Sequence, residues 1–494
     1  MRIALLIVCI LATAWKLQGQ SLEFTPGVTE RFKQPESLDR ILPLSNGAFV
    51  AIGLVEMDQP GQFVSMAVYD AKLDRYEGKI LRVLDRVSLR ESHFLLKDQA
   101  VQDLYVARSG TGNGYEIHID RYALPDFEPL GTQVIGEPFN RYDKQFWEFS
   151  PDTSYMMLWQ EKPVSNHSQG NKQYAVSVWD SELNPQGAFS WSGIRNRQTI
   201  LRKFDQRLDN QGNIWVSSQV RGSEGMQLVL EKFVGSDSSV QSPAIPPKGS
   251  NMIFPSWQIL EDQSVEMVWF SSEDSAILHI CQLDGESLDT IAIHQVGIPG
   301  GIGQLLSGLF NEPEWLHRSP IQVRIRGNGN IVLALEESSL SKSPQGRVQT
   351  SEFGSIYLSE YSPEGKALWH YRIPKTQRWE EGPLDIEEWL SYSLIIDGER
   401  TLVSYLDHPD HRRVPADRIP KHISAIHPQT ETDWVMLERA SDGTWNKHIL
   451  NEQKAWYQQV KPARSVPAGK HTWLWQQDAW PFRTFYKVRI LQTD

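Results

Sequence analysis

Aspartate and histidine recur in one short polar segment of the chain. Its potential metal ligands are Asp407, His408, Asp410 and His411. Imidazole nitrogens and carboxylate oxygens bind borderline divalent cations, so this spacing favours several ligands on one ion. The spacing matches no established metal motif, and a solvated polar loop stiffened by Pro409 explains the same residues. A divalent metal ion is therefore one of two interpretations of this segment.

Tryptophans and charged residues occur together in two other polar segments, and two arginines follow the His/Asp segment. Indole faces stack on sugar rings, and carboxylates hydrogen-bond hydroxyls or act as an acid and a base when suitably spaced. The alternative is that the tryptophans cover sheet edges, since the chain has 18 of them. The candidate ligand-binding residues are Trp315, His317, Arg318, Trp379, Glu380, Glu381, Arg412 and Arg413.

Other motifs for chemistry are absent or incomplete. The glycine-rich run 297–303 lacks the lysine or the strand-to-helix context that phosphate binding needs, so we interpret it as a hinge into a short apolar helix at 304–310. No Ser/His/Asp series, HExxH or paired CxxC occurs. The formal net charge of −12 disfavours nucleic acid as a partner. We expect no cofactor apart from the divalent metal considered above.

Short apolar strands separate these polar segments. One pattern recurs eight times: an apolar strand, a short polar turn and a second apolar strand. Examples are 41–52, with its turn at 45–47, and 207–216, with its turn at 209–212. Asn, Asp and Gly between β-branched and aromatic residues are typical of β-hairpins. Most copies are followed by a third strand and a second tight turn.

Four antiparallel strands per repeat are the pattern of a β-propeller blade, which is stable only between neighbouring blades. We therefore expect an all-β chain that forms a single β-propeller of about eight four-stranded blades, with seven as the alternative. The last repeat is short, and 28–32 is expected to complete it, so that N- and C-terminal strands close the ring. The tryptophans expected to pack between blades are Trp159, Trp215, Trp269 and Trp475.

Two of the repeats resemble known propeller repeats. The run 209–216, DNQGNIWV, resembles the propeller sensor domains of some bacterial regulators, and 361–369, YSPEGKALW, is similar to the repeat of quinoprotein-type propellers. The resemblance is at superfamily level and implies the fold. Quinoprotein dehydrogenases stack their cofactor on a vicinal cysteine pair, whereas Cys281 is the only cysteine after Cys9. The resemblance thus favours non-enzymatic scaffold members over a protein that binds pyrroloquinoline quinone.

The first nineteen residues have the pattern of a signal peptide. Arg2 precedes the apolar run 3–12, and Gly19 stands at the expected cleavage point. The run is shorter than the about 20 residues that a membrane-spanning helix needs. We expect 1–19 to be a signal peptide and 20–494 the propeller domain of a periplasmic, cell-surface or secreted monomer with no transmembrane segment in the mature chain. A retained anchor is the alternative.

Long loops are expected on one side of the propeller. In a four-stranded blade the first and third turns lie on one side, and the second loop and the link to the next blade lie on the other. Nearly all of the long excursions occupy the latter positions, at 161–173, 297–319, 336–352, 374–388 and 407–431. Loops on a rigid scaffold commonly carry binding. The expected function is an exported, non-catalytic propeller that binds a protein or glycan through its loop-rich face; the alternative is a carbohydrate-active enzyme, a polysaccharide lyase or glycoside hydrolase, with acidic and aromatic loops at the channel mouth.

Overall fold

The fold is seen in a computed structural model, and its strands account for most of the described chain. The described residues are 22–26, 30–31, 36–44, 46–55, 62–73, 75–83, 93–98, 102–109, 115–139, 145–162, 173–192, 194–195, 198–222, 225–235, 238–243, 245, 251–260, 262–272, 276–298, 321–342, 349–380, 392–416, 418, 420, 425–426, 431–453, 465–467, 471–479 and 482–490. The predicted signal peptide and the predicted helix at 304–310 lie outside them.

Antiparallel strands form eight sheets, which are the blades of an eight-bladed propeller. This confirms the all-β prediction and decides against seven blades. The described residues contain no α-helix, and their helical structure is limited to a 3-10 turn at Pro409–His411. Within the same ranges, no helix has the length and apolar character needed to cross a membrane.

Two short strands, β1 (Leu22–Pro26) and β2 (Glu30–Arg31), precede the first blade. Blades 1 to 4 then follow in chain order, each with four main strands running from the innermost to the outermost. Their strands are, for blade 1, β3 (Glu36–Pro43), β4 (Phe49–Val55), β5 (Gln62–Tyr69) and β6 (Arg75–Val83); for blade 2, β7 (His93–Asp98), β8 (Gln102–Ser109), β9 (Tyr115–Ala123) and β10 (Glu128–Phe139); for blade 3, β11 (Gln145–Phe149), β12 (Tyr155–Lys162), β13 (Gln173–Asp180) and β14 (Pro185–Ser192); and for blade 4, the short β15 (Ile194–Arg195), β16 (Gln198–Leu208), β17 (Ile214–Gly222), β18 (Gly225–Val234) and β19 (Ser238–Gln241). The short strand β15 pairs with β16.

Blades 5 to 8 repeat this order, with additional short strands at blade 6. Their strands are, for blade 5, β20 (Asn251–Ile259), β21 (Val265–Ser272), β22 (Ala276–Leu283) and β23 (Thr290–Gly297); for blade 6, β24 (Gln322–Ile325), β25 (Ile331–Lys342), β26 (Gln349–Tyr361), β27 (Ala367–Ile373), β28 (Thr376–Glu380) and the later β31 (Ala425–Ile426); for blade 7, β29 (Ser393–Asp397), β30 (Arg400–Asp407), β32 (Thr432–Arg439) and β33 (Trp445–Gln453); and for blade 8, β34 (Val466–Pro467), β35 (Thr472–Ala479) and β36 (Phe482–Ile490). The strand β28 pairs with β26 and, in parallel, with β31.

The two ends of the chain meet in blade 8. The strand β1 runs antiparallel to β36, with Leu22 opposite Ile490, and β2 pairs with the start of β36. This confirms the predicted closure, but the main closing strand begins earlier than the predicted 28–32. Of those five residues the structure describes Glu30 and Arg31, which pair with the start of β36. The difference arises because Leu22 and Phe24 supply the apolar side chains that pack between blades 7 and 8.

Each of the eight interfaces between neighbouring blades holds its own apolar cluster. Between blades 8 and 1, the ring of Phe485 contacts the rings of Phe49 and Tyr69 at centroid distances of 4.8 and 4.7 Å. Every blade therefore buries both faces, as the repeat predicts. The four predicted packing tryptophans lie in second strands, are at most 2% exposed and belong to these clusters, which confirms their role: Trp159, Trp215, Trp269 and Trp475.

The two ends of the blades differ in the length of their connections. We call the side with the turns after first and third strands the tight-turn face, and the opposite side the loop-bearing face. On the tight-turn face an Asp or Asn side chain accepts a hydrogen bond from the backbone N–H two residues later, which closes the turn. These acceptors are Asn46, Asp70, Asp152, Asp180, Asp209, Asp262, Asp284, Asn328 and Asp442.

Candidate functional site

Most of the predicted Trp/carboxylate site falls outside the described residues. Trp379 and Glu380 lie in β28, where their backbones pair with Ser351 and Thr350 of β26 at the loop-bearing end of blade 6. The remaining members lie outside the described part of the chain, and they are Trp315, His317, Arg318 and Glu381. Their grouping into one site stays a prediction.

Asp407 is the centre of a buried network at the base of the loop between β30 and β32. Its Oδ1 hydrogen-bonds with His411 Nδ1 at 2.8 Å, and its Oδ2 accepts from Lys447 Nζ at 2.7 Å. Asp407 is 4% and His411 3% exposed. Burial by itself raises the pKa of Asp407, but the bonds from His411 and Lys447 outweigh it and lower that pKa. Asp407 and His411 therefore serve each other as partners.

The other two predicted metal ligands lie beside this pair. His408 Nδ1 accepts from the backbone N–H of Asp410 at 3.2 Å and so caps the 3-10 turn, while the Asp410 side chain is 70% exposed. Among the described residues no group of three or more His, Cys, Asp or Glu side chains is arranged to hold a metal ion. The nearby residues 417, 419, 421–424 and 427–430 lie outside them, and metal binding by this segment stays a prediction.

Further contacts fasten the same loop to blades 6 and 7. Arg412 donates from Nε and Nη2 to the two carboxylate oxygens of Asp433, at 3.0 and 2.7 Å, and Asp433 is buried. The hydroxyl of Tyr371 donates to the carbonyl of Ala416, and its ring stacks on Trp445. These bonds hold the described part of the loop in one position. It presents three arginines with exposed side chains, which we call the basic edge: Arg412, Arg413 and Arg418.

A cavity of about 510 Å³ opens on the opposite, tight-turn face, between blades 4 and 5. Two neighbouring tryptophans form its floor, with the ring centroids of Trp215 and Trp257 6.0 Å apart. A cation lies over each indole: Arg207 Cζ is 4.3 Å from the centroid of Trp257, and Lys232 Nζ is 4.8 Å from that of Trp215. Asp209 and Glu286 also line the cavity.

Sequence reasoning missed this cavity. It assigned Trp215 to blade packing, which is correct, and assigned no role to Arg207, Lys232 or Trp257. Both cations stand near strand ends next to tight turns, where surface charges are common. Lys232 and Trp215 face each other across two strands of blade 4, so their contact depends on strand register, whereas the contact of Arg207 with Trp257 depends on how blades 4 and 5 meet.

Charged side chains also meet on the innermost strands. Glu148 on β11 is influenced by Asp205 and Arg207 on β16, and Arg324 on β24 is influenced by Arg207 from two blades away. Burial raises the pKa of Glu148 to about 7, and the charge of Asp205 adds to this effect. Burial and repulsion by Arg207 lower the pKa of Arg324. Arg207 thus connects the charges of the inner strands with the cavity.

Comparisons with known proteins find similarity in fold. No family model matches the chain. No curated protein sequence matches it significantly. Among solved structures, the WD40 domain of SCAP from fission yeast has 10% identity and a TM-score of 0.44, and the match covers 95% of each chain. The propeller domain of the Trilobed protease from Pyrococcus furiosus has 9% identity and a TM-score of 0.38, covering 83% of this chain and 97% of that one.

A member of the DUF4221 family from Bacteroides vulgatus has 10% identity and a TM-score of 0.30, covering 76% of this chain and 92% of that one. Identities this low concern the propeller fold alone. No match supports the quinoprotein-type resemblance in particular, so that resemblance extends to the propeller fold and no further.

Proposed function

We propose that this protein is an exported, non-catalytic propeller that binds a protein or glycan partner on its loop-bearing face. The observation that supports the proposal is the unequal construction of the two faces. The described turns of the tight-turn face largely carry polar side chains that bond to their own backbone, whereas the longest connections, such as that from β23 to β24, leave strand ends at the other face. A rigid propeller with long loops on one face is a common arrangement for recognition. The signal-peptide pattern is the basis for export.

The basic edge is the described part of the loop-bearing face with the clearest chemistry. The chain has a net charge of −12, so three exposed arginines on one loop stand out against an acidic background. Arg412 is held by Asp433, while Arg413 and Arg418 have no such carboxylate among the described residues. A partner with acidic groups would gain charge complementarity here.

The test compares charge reversal on the two faces. We expect the Arg413→Glu/Arg418→Glu variant to capture its partner from extracts of the source organism at least about tenfold less than the wild type, because like charges now meet. The matched control is Lys72→Glu/Lys366→Glu, which changes two exposed lysines in tight turns and should leave capture unchanged. A glycan array with the same variants separates glycan from protein partners. Equal loss in both variants, or in neither, would contradict the proposal.

The carbohydrate-active alternative is supported by a different observation. Burial and the charge of Asp205, on the neighbouring inner strand, raise the pKa of Glu148 to about 7, so that this carboxyl is partly protonated near neutral pH. One protonated carboxyl beside another carboxyl is the pairing used in glycoside hydrolysis. Turnover of a polysaccharide panel by the wild type, abolished in Glu148→Gln, would favour the enzyme. The binding proposal expects no turnover by either protein.

A further inference from the structure

The guanidinium group of Arg207 is fixed in the cavity between blades 4 and 5. Its Nε donates to Asp205 Oδ2 at 2.8 Å, and its plane is held over Trp257. Nη1 and Nη2 make no hydrogen bond with any residue that the structure describes, and the side chain is 40% exposed. Two adjacent guanidinium N–H groups match the two oxygens of a carboxylate. Arg207 is therefore pre-oriented for such a group.

Lys232 brings a second cation to the same cavity. Its Nζ lies over Trp215 and donates to the carbonyl of Gly285 at 3.1 Å. A lysine ammonium has three N–H donors, so this single bond leaves two for another acceptor. Stacking on a buried indole limits the positions of the ammonium group, which reduces the entropy lost when a ligand binds.

The two carboxylates that line the cavity, Asp209 and Glu286, differ in their hydrogen bonding and exposure. Asp209 accepts from the backbone N–H groups of Gln211 and Asn213 at 2.9 and 2.8 Å, and its other oxygen accepts from Trp215 Nε1 at 2.9 Å. Both carboxylate oxygens of Asp209 therefore accept hydrogen bonds from residues of its own hairpin. Glu286 is exposed at the cavity wall and can accept from a ligand donor. The net negative charge of the protein repels a polyanion more strongly than a ligand with a single carboxylate.

From these features we propose that the cavity is a second binding site, for a small ligand that carries one carboxylate and at least one hydroxyl or amide donor. Arg207 holds the carboxylate, Lys232 supports it, and Glu286 accepts from the donor. The volume of about 510 Å³ lies within the range of small-molecule sites. A uronic acid and the C-terminus of a peptide share this chemistry. The site lies on the face opposite to the one in the proposed function.

The experiment uses four small probes on the full-length protein. Glucuronate and N-acetylglycine carry the carboxylate, and glucose and N-acetylglycinamide are their neutral counterparts. In calorimetric or NMR titrations we expect at least one carboxylate to bind, and its neutral counterpart to bind at least about tenfold more weakly. Which carboxylate binds distinguishes a sugar from a peptide source. Absence of binding by both carboxylates at millimolar concentrations would overturn the proposal, as would equal binding of the neutral probes.

Variants then locate the binding. Arg207→Gln should weaken carboxylate binding at least about tenfold, and Arg207→Lys should recover part of it, because lysine keeps the charge but loses the two-pronged geometry. Lys366→Gln, at an exposed lysine in a tight turn of blade 6 outside the cavity, is the matched control and should bind the carboxylate normally. Lys232→Gln gives an independent reading if Arg207→Gln unfolds. Unchanged carboxylate affinity in a folded Arg207→Gln variant would refute the site. The same variant should still capture a partner through the loop-bearing face, so failure of this proposal and failure of the proposed function can be distinguished.

Discussion

The two faces of the propeller are stabilised in different ways. On the tight-turn face, one short-range contact recurs, in which an Asp or Asn side chain accepts from the backbone two residues ahead, as in Asn46 with Ala48. On the loop-bearing face, contacts join distant residues: Lys375 pairs with Glu336, and Gln377 bonds both to Lys375 and to the carbonyl of Leu406 in the next blade. The turns of the first face are closed locally, whereas the second face is held by contacts between distant residues. Buried ion pairs occur at both, since Arg326 and Glu360 pair at the tight-turn end.

This difference predicts which substitutions reduce the stability of the fold most. A turn that satisfies its own backbone loses little when one side chain changes, since solvent can replace the contact. A buried ion pair leaves an uncompensated charge when one partner is removed. Stability should therefore respond much more strongly to substitutions in the buried network than to substitutions in the turns.

The largest effect is expected at the ion pair of Lys375 and Glu336, whose side chains are 1% and 0% exposed. Lys375→Met would leave Glu336 buried without its counter-charge and should cost about 3–5 kcal/mol in the free energy of unfolding, measured by urea titration. The double variant Lys375→Met/Glu336→Leu removes both charges and should recover most of that loss. A single variant as stable as the wild type would refute the contrast between the faces.

A somewhat smaller loss is expected at Asp407. Asp407→Asn weakens its bonds with His411 and Lys447 and leaves the ammonium without its carboxylate, which should cost about 2–3 kcal/mol near neutral pH. Because the folded pKa of Asp407 is lowered, its contribution is present above the unfolded pKa of about 3.9 and is lost as the pH falls through the folded value. Urea titrations at several pH values measure this. Asp410→Asn, at an exposed carboxylate, should have almost no effect.

The tight-turn end also contains a buried carboxyl group, that of Glu266, which is 0% exposed and lies beside Gly329 of blade 6. Burial raises its pKa from 4.5 to about 7. The folded protein then binds a proton that the unfolded chain has released, so Glu266 lowers stability as the pH rises from 4.5 to 7. Glu266→Gln should remove this dependence and stabilise the protein at pH 8 by about 2 kcal/mol.

Thermal and urea unfolding at two pH values, about 5 and about 8, is enough to detect the Glu266 effect. The exposed Glu128 of blade 2 offers a matched control, since Glu128→Gln should leave the pH dependence as it is. The same slope in wild type and Glu266→Gln would show that another group carries the pH dependence.

The smallest effect is expected in a tight turn. Asn46→Ala removes the bond to the backbone N–H of Ala48 and should cost about 0.5–1 kcal/mol, because water can reach this turn. Asn46→Asp keeps an acceptor at the same place and should remain close to the wild type. Urea titration measures both. A loss in Asn46→Ala as large as that in Lys375→Met would abolish the distinction between the two faces.

Local patterns in the sequence determine the repeat, the turns and the buried second strands. Asn46 and Gly47 mark a turn by their own chemistry, and Trp159 and Trp475 mark second strands by their position in the repeat. Each such signal involves residues within a few positions of one another. This is why the all-β class, the propeller and its closure were predictable, while the starting point of the closing strand was not.

Only the tertiary structure decided which distant side chains meet. Lys447 reaches Asp407 from 40 residues away, and Arg207 reaches the indole of Trp257 from the neighbouring blade. The first contact depends on strand register within blade 7 and the second on how adjacent blades pack, and no short stretch of sequence encodes either. The turns of the propeller could thus be read from the chain itself, whereas its buried charges and its cavity arise from the assembly of the blades.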